Sequence, residues 1–521
     1  MKKYIFLLLI MSALGLVSCE DYLTHDHPTA VSDDEWWNTE SDAAAALYRV
    51  YVGIPDGANG RQLQFLSGLS DDMVPRQSSR GEFEAYTKGL QSASWDVALQ
   101  IWTADYKCIR RAARFLENVD NVYMDEELKS RYKWEAKALR AYYHMELMML
   151  YGGVPIVTTA LTPNESQVAR NTEQEVYDFV IEELMQCAVN LPSEYNYSER
   201  WRMTSGICWA LISRLSLYKG DYDLAKQASL ELINSGNYNL YPNYRDLFTY
   251  TGEMNNESIF FKEGGSAYAW VAFAPQGVGG KTVLSPTASL VNTFETKQGK
   301  TIQELGQDSL QIYMASPNYN NNRDPRLQAS VLWNGREFSS NVLEPFNPNP
   351  NNNDRISIQN STSTGYWCYK YVTEEDRTGA RTLDYMILRY AEVLLTYVEA
   401  LIETGDWQNP DVITYINAIR NRAGMPDVDT QIYNTQEKLR ELVRRERRVE
   451  LAFEAVRFWD IRRWNILEDV MNGPVYGAVD PATGEPFYVE DRLARNNRDY
   501  LWPIPQAEIL ANPNMEQNPN Y

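Results

Sequence analysis

Few residues in this chain are suited to covalent chemistry. Its 521 residues include three histidines, His25, His27 and His144. A Ser-His-Asp relay or a His-rich zinc site is hard to build from so few. His25 and His27 flank Asp26 in a polar stretch that reads as a solvated tether. His144 falls inside a helical pattern and reads as a packed residue. Cys108, Cys187, Cys208 and Cys368 show no metal-ligand spacing. Three of them lie in helical patterns, where a small buried thiol is the ordinary role; the spacing leaves any disulfide pairing open. Gly277-Val278-Gly279-Gly280-Lys281 is glycine-rich but lacks phosphate-loop spacing, so it reads as a flexible loop. A glycosidase needs two carboxylates flanking one sugar bond. With 70 acidic residues some such pair is inevitable, and no motif marks one. The reading is therefore of a chain that is not an enzyme, with no catalytic residue, no cofactor and no metal ligand assigned.

The other chemistry on offer is that of aromatic rings. The chain has 35 Tyr, 14 Trp and 15 Phe. Sugar rings present flat C–H faces that pack on aromatic rings, while their hydroxyls bond to polar neighbours. Most large aromatics are substantially buried, so the informative ones are those in loops. Tyr268 and Trp270 fall in a small-residue loop. Phe83 and Tyr86 follow the polar turn Arg76 to Gly81, Tyr319 adjoins an asparagine tract, and Trp333 precedes Asn334-Gly335. These six rings, with Arg76 and Asn334 as hydroxyl partners, form the candidate ligand-binding set.

One cysteine stands apart. Lys2 and Lys3 precede an almost unbroken apolar stretch from Tyr4 to Val17, which ends at Leu16-Val17-Ser18-Cys19. That order is a secretory signal, and the stretch is too short to span a hydrocarbon core about 30 Å thick. The Leu-x-Ser-Cys ending resembles the bacterial lipobox. That resemblance implies cleavage of a signal peptide, residues 1–18, and acylation of Cys19, whose lipid holds a soluble body at a membrane. Glu20 and Asp21 resemble the surface-export tag of Bacteroidetes lipoproteins. Removing residues 1–18 takes away only Lys2 and Lys3, which moves the net charge from −21 to about −23. Such acidity repels phosphate backbones and argues against nucleic acid as a partner. It also argues against a basic surface lying on anionic lipid.

The elements that must position these residues read mainly as helix. Val97, Ile101, Trp102, Ile109, Ala112, Ala113 and Leu116 recur at threes and fours over 96–119, as a buried stripe requires. A similar stripe runs over 126–151 until Gly152-Gly153-Val154-Pro155 stops it. Thr172 and Glu175 have capping-box spacing. Tyr218-Lys219-Gly220-Asp221-Tyr222, followed by Ala225, Ala228 and Leu232, resembles a tetratricopeptide unit. The pattern returns over Leu388 to Arg422, with a turn at Gly405-Asp406-Trp407. The fold class is therefore mainly α: tetratricopeptide-like helix pairs in a superhelical scaffold, with an irregular loop-rich lobe containing short strands. The lobe is marked by Gly, Pro and Asn density and by one short strand at Ser258 to Phe261. The divisions are a tether over 19–40, an N-terminal scaffold over 41–240 and the lobe, the expected ligand-binding region, over 241–382. C-terminal helices over 383–472 and a loop insertion with the C-terminal segment over 473–521 complete the chain. Arg440 to Arg463 is interrupted by Glu441, Glu446, Glu450 and Glu454, and reads as a helix-face charge lattice.

Several segments together resemble the SusD/RagB family of Bacteroidetes nutrient-binding lipoproteins. They are Leu139-Arg140-Ala141-Tyr142-Tyr143 with Tyr151-Gly152-Gly153-Val154-Pro155; Leu388-Arg389-Tyr390-Ala391-Glu392-Val393-Leu394-Leu395; and Ile416 to Gly424. The run Arg445 to Glu454 continuing to Trp464 is another, as are Leu501-Trp502-Pro503-Ile504-Pro505 and Asn512 to Pro519. The resemblance implies an outer-membrane, outward-facing, lipid-anchored protein. It also implies a SusC-like TonB-dependent transporter as partner, on which the lipoprotein acts as a lid. The implied ligand is an oligosaccharide, with a peptide or other nutrient as the alternative.

Overall fold

The computed structural model describes residues 36–56, 65–356 and 358–521. The expectations for residues 1–18, Cys19, His25 and His27 lie outside the described residues.

The scaffold is built from α1 (Glu40–Tyr51), α2 (Asp96–Asn118), α3 (Glu126–Tyr151), α4 (Glu173–Asn190), α5 (Ser205–Lys219), α6 (Tyr222–Ser235), α7 (Tyr390–Glu403), α8 (Pro410–Arg422), α9 (Gln436–Glu450) and α10 (Val456–Arg463). Neighbours in sequence pack in space as tetratricopeptide-like pairs, α2 on α3, α3 on α4, α5 on α6 and α7 on α8. The turns follow from local chemistry. Gly220 ends α5 in the left-handed conformation (φ +76°), and Asp221 caps α6 by accepting from the Leu224 N–H. Ala225 and Ala228, wholly buried, let α6 lie close against its neighbours. Thr172 and Glu175 form the reciprocal capping box that opens α4. Residues 236–389 separate α6 from α7, yet these two helices pack on each other.

The strands of three or more residues among the described residues are β1 (Met73–Pro75), β2 (Ser258–Lys262), β3 (Leu284–Pro286), β4 (Tyr385–Arg389), β5 (Gly473–Val479) and β6 (Pro486–Arg492). They pair antiparallel as β1–β3, β2–β4 and β5–β6. Two expectations are corrected here. Leu388 and Arg389 belong to β4 rather than to the helix that follows. The stretch after Gly473, read as a loop insertion, is a β-hairpin; Val475, Val479 and Val489 supply β-branched residues, and Gly484 (φ +73°) serves the turn.

The lobe is fixed to the scaffold by buried charge. Arg389 on β4 donates from Nη1 to Glu257 Oε1 (2.6 Å) and Glu450 Oε1 (2.7 Å), and from Nε to Glu454 Oε2 (2.7 Å). Lys370 Nζ donates to Glu454 Oε1 at 2.8 Å, and Arg326 Nη1 to Glu450 Oε2 at 3.0 Å. Burial works to raise the Glu450 pKa, but Arg422, Arg389 and Arg326 overturn it and hold the carboxyl far below the usual range. Burial lowers the Lys370 ammonium to about 8, with Glu454 opposing. Glu446, Glu450 and Glu454, read as partners along one helix face, thus bind cations from distant parts of the chain. Cys108, Cys187, Cys208 and Cys368 are all buried, and among the described residues none of them is joined in a disulfide. His144 is packed: Nδ1 meets the Arg140 carbonyl (2.8 Å), and Nε2 accepts from the Val157 N–H (3.2 Å).

Candidate functional site

Arg76 follows β1 directly, and the β1–β3 pairing fixes its place. Its backbone N–H donates to the Val283 carbonyl at 2.9 Å. Its guanidinium Nη1 donates to the Lys281 carbonyl (3.0 Å) and Asn360 Oδ1 (2.6 Å), while Nε donates to Ser79 Oγ (2.9 Å). Partial burial draws its pKa down, with Glu82 opposing. The same segment, 281–283, is held on its other side by the short helix Ala269–Phe273. Lys281 N–H donates to Val271 O (2.8 Å), and Val283 N–H to Ala272 O (2.6 Å). Tyr268 precedes that helix and is 43 % exposed. The structure therefore brings Arg76 and the Tyr268–Trp270 segment to two sides of one backbone strip.

Trp270, expected in a loop, lies in the short helix and is only 3 % exposed. Its ring stacks on Phe338 (centroids 5.5 Å, 29°), and Phe338 meets the edge of Tyr369 (5.6 Å). Arg336 places its guanidinium over both Trp333 (4.7 Å) and Tyr369 (4.9 Å), while Arg245 covers Tyr369 at 3.6 Å. Burial draws the Arg336 pKa down to about 10, with Tyr369 opposing. Rings sandwiched by desolvated guanidinium groups are held by cation–π attraction and cannot rotate freely. Trp333 is half-buried at the edge of this stack, and Asn334 is exposed in the tight turn after it. Arg377, which the sequence reading missed, lies over Trp270 (5.8 Å) and donates to Ser339 Oγ (2.5 Å). Ser339 and Ser340 turn the small hairpin Glu337–Phe338/Asn341–Val342 with both φ positive, the conformation of a type I′ turn. A Ser-Ser pair lacks the Asn-Gly signature of that turn, so no local motif announces it.

Other candidates go elsewhere. Phe83 and Tyr86 sit on the helix Arg80–Thr87 and are each 2 % exposed. Phe83 packs on Phe65 (4.3 Å), and a Cβ on Gly68 would strike its ring. Tyr86 accepts from Arg462 Nη2 (2.9 Å), donates to the Asp499 carbonyl (3.1 Å) and stacks on Trp95 (6.1 Å, 21°). Both rings are core, so neither presents a face to a ligand. Tyr319 is 41 % exposed, standing edge-on to Tyr313 at 6.0 Å, and is not among the rings of the Trp270 stack. Among the described residues no group of three or more His, Cys, Asp or Glu is arranged to hold a metal. The arrangement consists of ring faces backed by fixed cations, with the exposed Asn334 amide in the turn after Trp333.

Comparison with known proteins bears on this arrangement. Residues 229–521 match the model of the SusD family, and residues 23–217 match a model described as starch-binding, associating with the outer membrane. SusD-like protein P38 of Formosa agariphila is 26 % identical over 98 % of this chain and 98 % of its own. A SusD-like carbohydrate-binding protein from Bacteroides fragilis, of known structure, superposes with TM-score 0.84 at 28 % identity. It covers 92 % of this chain and 100 % of that one. A laminarin-binding SusD-like protein shares the fold, with TM-score 0.68 at 21 % identity over 93 % of this chain and 100 % of that one.

Proposed function

The chain belongs to the SusD family, and from that premise we propose that it is a cell-surface lipoprotein that captures an oligosaccharide or polysaccharide and delivers it to a SusC-like TonB-dependent transporter. It acts by binding and not by catalysis. The lipid on Cys19 anchors it in the outer membrane, with the body facing the cell exterior.

The observation that carries the reading is the ring stack under the lobe surface. Trp270 and Phe338 form its base, Tyr369, Arg336, Arg245 and Arg377 clamp it, and Trp333 shows part of its ring. Pre-ordered rings lose little entropy when a sugar stacks on them. Asn334 follows Trp333, Tyr268 precedes the Trp270 helix, and Arg76 borders the 281–283 strip that this helix holds; in this reading they serve as hydroxyl partners and a further ring. Trp270 serves this reading as a support and not as a direct contact.

The test is calorimetry of the soluble body, starting after Cys19, against a panel of plant, host and microbial glycans and peptides. Saturable binding of one glycan class that falls in a Trp333→Ala variant is the expected result. Binding of peptides alone would replace the sugar with a peptide ligand. Absence of binding to every member would reduce the chain to a lid that needs its transporter.

A further inference from the structure

The β5–β6 hairpin carries a feature that this site does not use. Tyr476 and Tyr488 are cross-strand partners and are 42 % and 50 % exposed. Their ring centroids lie 6.3 Å apart at 75°. Pro474 and Asp491, both exposed, form another cross-strand pair of the hairpin. The register shifts on both sides of Tyr488, and such irregularities increase local twist. The opposite face is buried: Ala478, Glu490 and Arg492 point inward, with Arg492 Nε donating to Glu490 Oε1 at 3.0 Å.

Two observations say what could cover the tyrosines. The first is charge. No lysine or arginine occurs from Gly473 to Asp491, whereas Asp480, Glu485 and Asp491 reach solvent. A carboxylated or sulfated chain would be repelled, while carboxylates accept hydroxyl protons from an uncharged one. The second is continuity. The hairpin stands on residues 360–365, the segment that also meets Arg76. Ala478 N–H donates to the Thr364 carbonyl at 2.6 Å, and a Cβ on Gly477 would lie 2.1 Å from that oxygen. In the same segment Asn360 accepts from Arg76, and Ser363 Oγ donates to the Pro75 carbonyl at 3.0 Å.

We propose that the outer face of this hairpin is a second sugar-stacking platform, with Tyr476 and Tyr488 receiving an uncharged stretch of glycan and Asp491 accepting its hydroxyls. The inference rests on the glycan-binding reading above and adds a second contact area and a restriction to uncharged chains. Both tyrosines are exposed, so their removal leaves the core intact.

The experiment is affinity electrophoresis of the soluble body in gels containing laminarin, starch, xylan or galactomannan as uncharged polymers, and alginate or polygalacturonate as acidic ones. Three proteins are run: the unaltered body, Tyr476→Ala/Tyr488→Ala, and Arg76→Ala/Trp333→Ala. The expected result is retardation by at least one uncharged polymer, weakened fivefold or more in the hairpin variant at unchanged melting temperature. Equal retardation of the hairpin variant, with the Arg76/Trp333 variant impaired, overturns the platform and leaves the first reading standing. Retardation by the acidic polymers alone also overturns it. Retardation in no gel overturns both.

Discussion

Glu399 on α7 and Arg463 on α10 meet in a two-pronged ion pair, Nη1 to Oε1 at 2.7 Å and Nη2 to Oε2 at 2.6 Å, with both side chains almost wholly out of water. Trp464 Nε1 adds a third donor to the same carboxylate at 2.7 Å. Burial works to raise the Glu399 pKa, but Arg463 and Arg447 outweigh it and bring the carboxyl down to about 2. A depressed folded pKa gives stability that is present above the ordinary value near 4.5 and lost as pH falls toward 2. Glu399→Gln should cost about 3–5 kcal/mol at pH 7, as breaking a buried pair does. Urea unfolding at pH 7 and at pH 3 checks this: the gap between the two proteins should narrow in acid. A gap that stays constant would sink the linkage.

The exposed and buried rings should separate in their effects. Trp333→Ala and Tyr268→Ala should each weaken glycan binding by about tenfold, or ~1.4 kcal/mol, with little change in melting temperature. Trp270→Ala should remove a core ring and cost about 3–5 kcal/mol of stability. Calorimetry beside thermal melts distinguishes them. A Trp270→Ala protein that melts like the parent would contradict its place under Phe338.

Gly280 is a close-approach position. A Cβ there would lie 1.9 Å from the Ala274 carbonyl oxygen. Gly280→Ala should push apart the Ala269–Phe273 helix and the 281–283 strip, costing about 1–3 kcal/mol. Ligand affinity should fall with it, because Arg76 and Tyr268 border that strip. Unchanged affinity and unchanged melting would show that the strip does not hold the two in place.

Cys19→Ala should leave the protein unanchored. Fractionation of cells expressing it should move the chain from the membrane pellet to the soluble fraction. Retention in the pellet would refute lipid attachment at this residue.

The helices were legible because each carries its own evidence. The stripe over 126–151 matches α3, and the Thr172–Glu175 box and the Gly220-Asp221 turn sit where their local hydrogen bonds require. The site was legible only in part. Trp270 has alanines and glycines as neighbours in sequence, and nothing local says that Phe338 will cover it. Phe83 and Tyr86 follow a polar turn but belong to a helix whose inner face meets Phe65 and Phe458. Arg377 and Arg336 gave no signal, because Trp270 and Tyr369 are brought to them by the fold. Glu450 and Glu454 looked like neighbours of local arginines, yet Arg389 reaches them from β4 and Lys370 reaches Glu454 from the lobe.

The contact between α6 and α7 has a consequence for how such chains change over time. The segment of residues 236–389, which contains the lobe, leaves the helical stack after Ser235 and rejoins it at Tyr390, and the helices on either side of that break touch. Its two ends are drawn together at a neck where β2 runs against β4. A segment that departs and returns at one place behaves as a cassette. Its tip can be exchanged or lengthened without shifting the register of the helices below, so long as the neck and the Arg389–Glu257–Glu450 linkage survive. Point changes in the tip thus alter the surface of the lobe while the helices below keep their places.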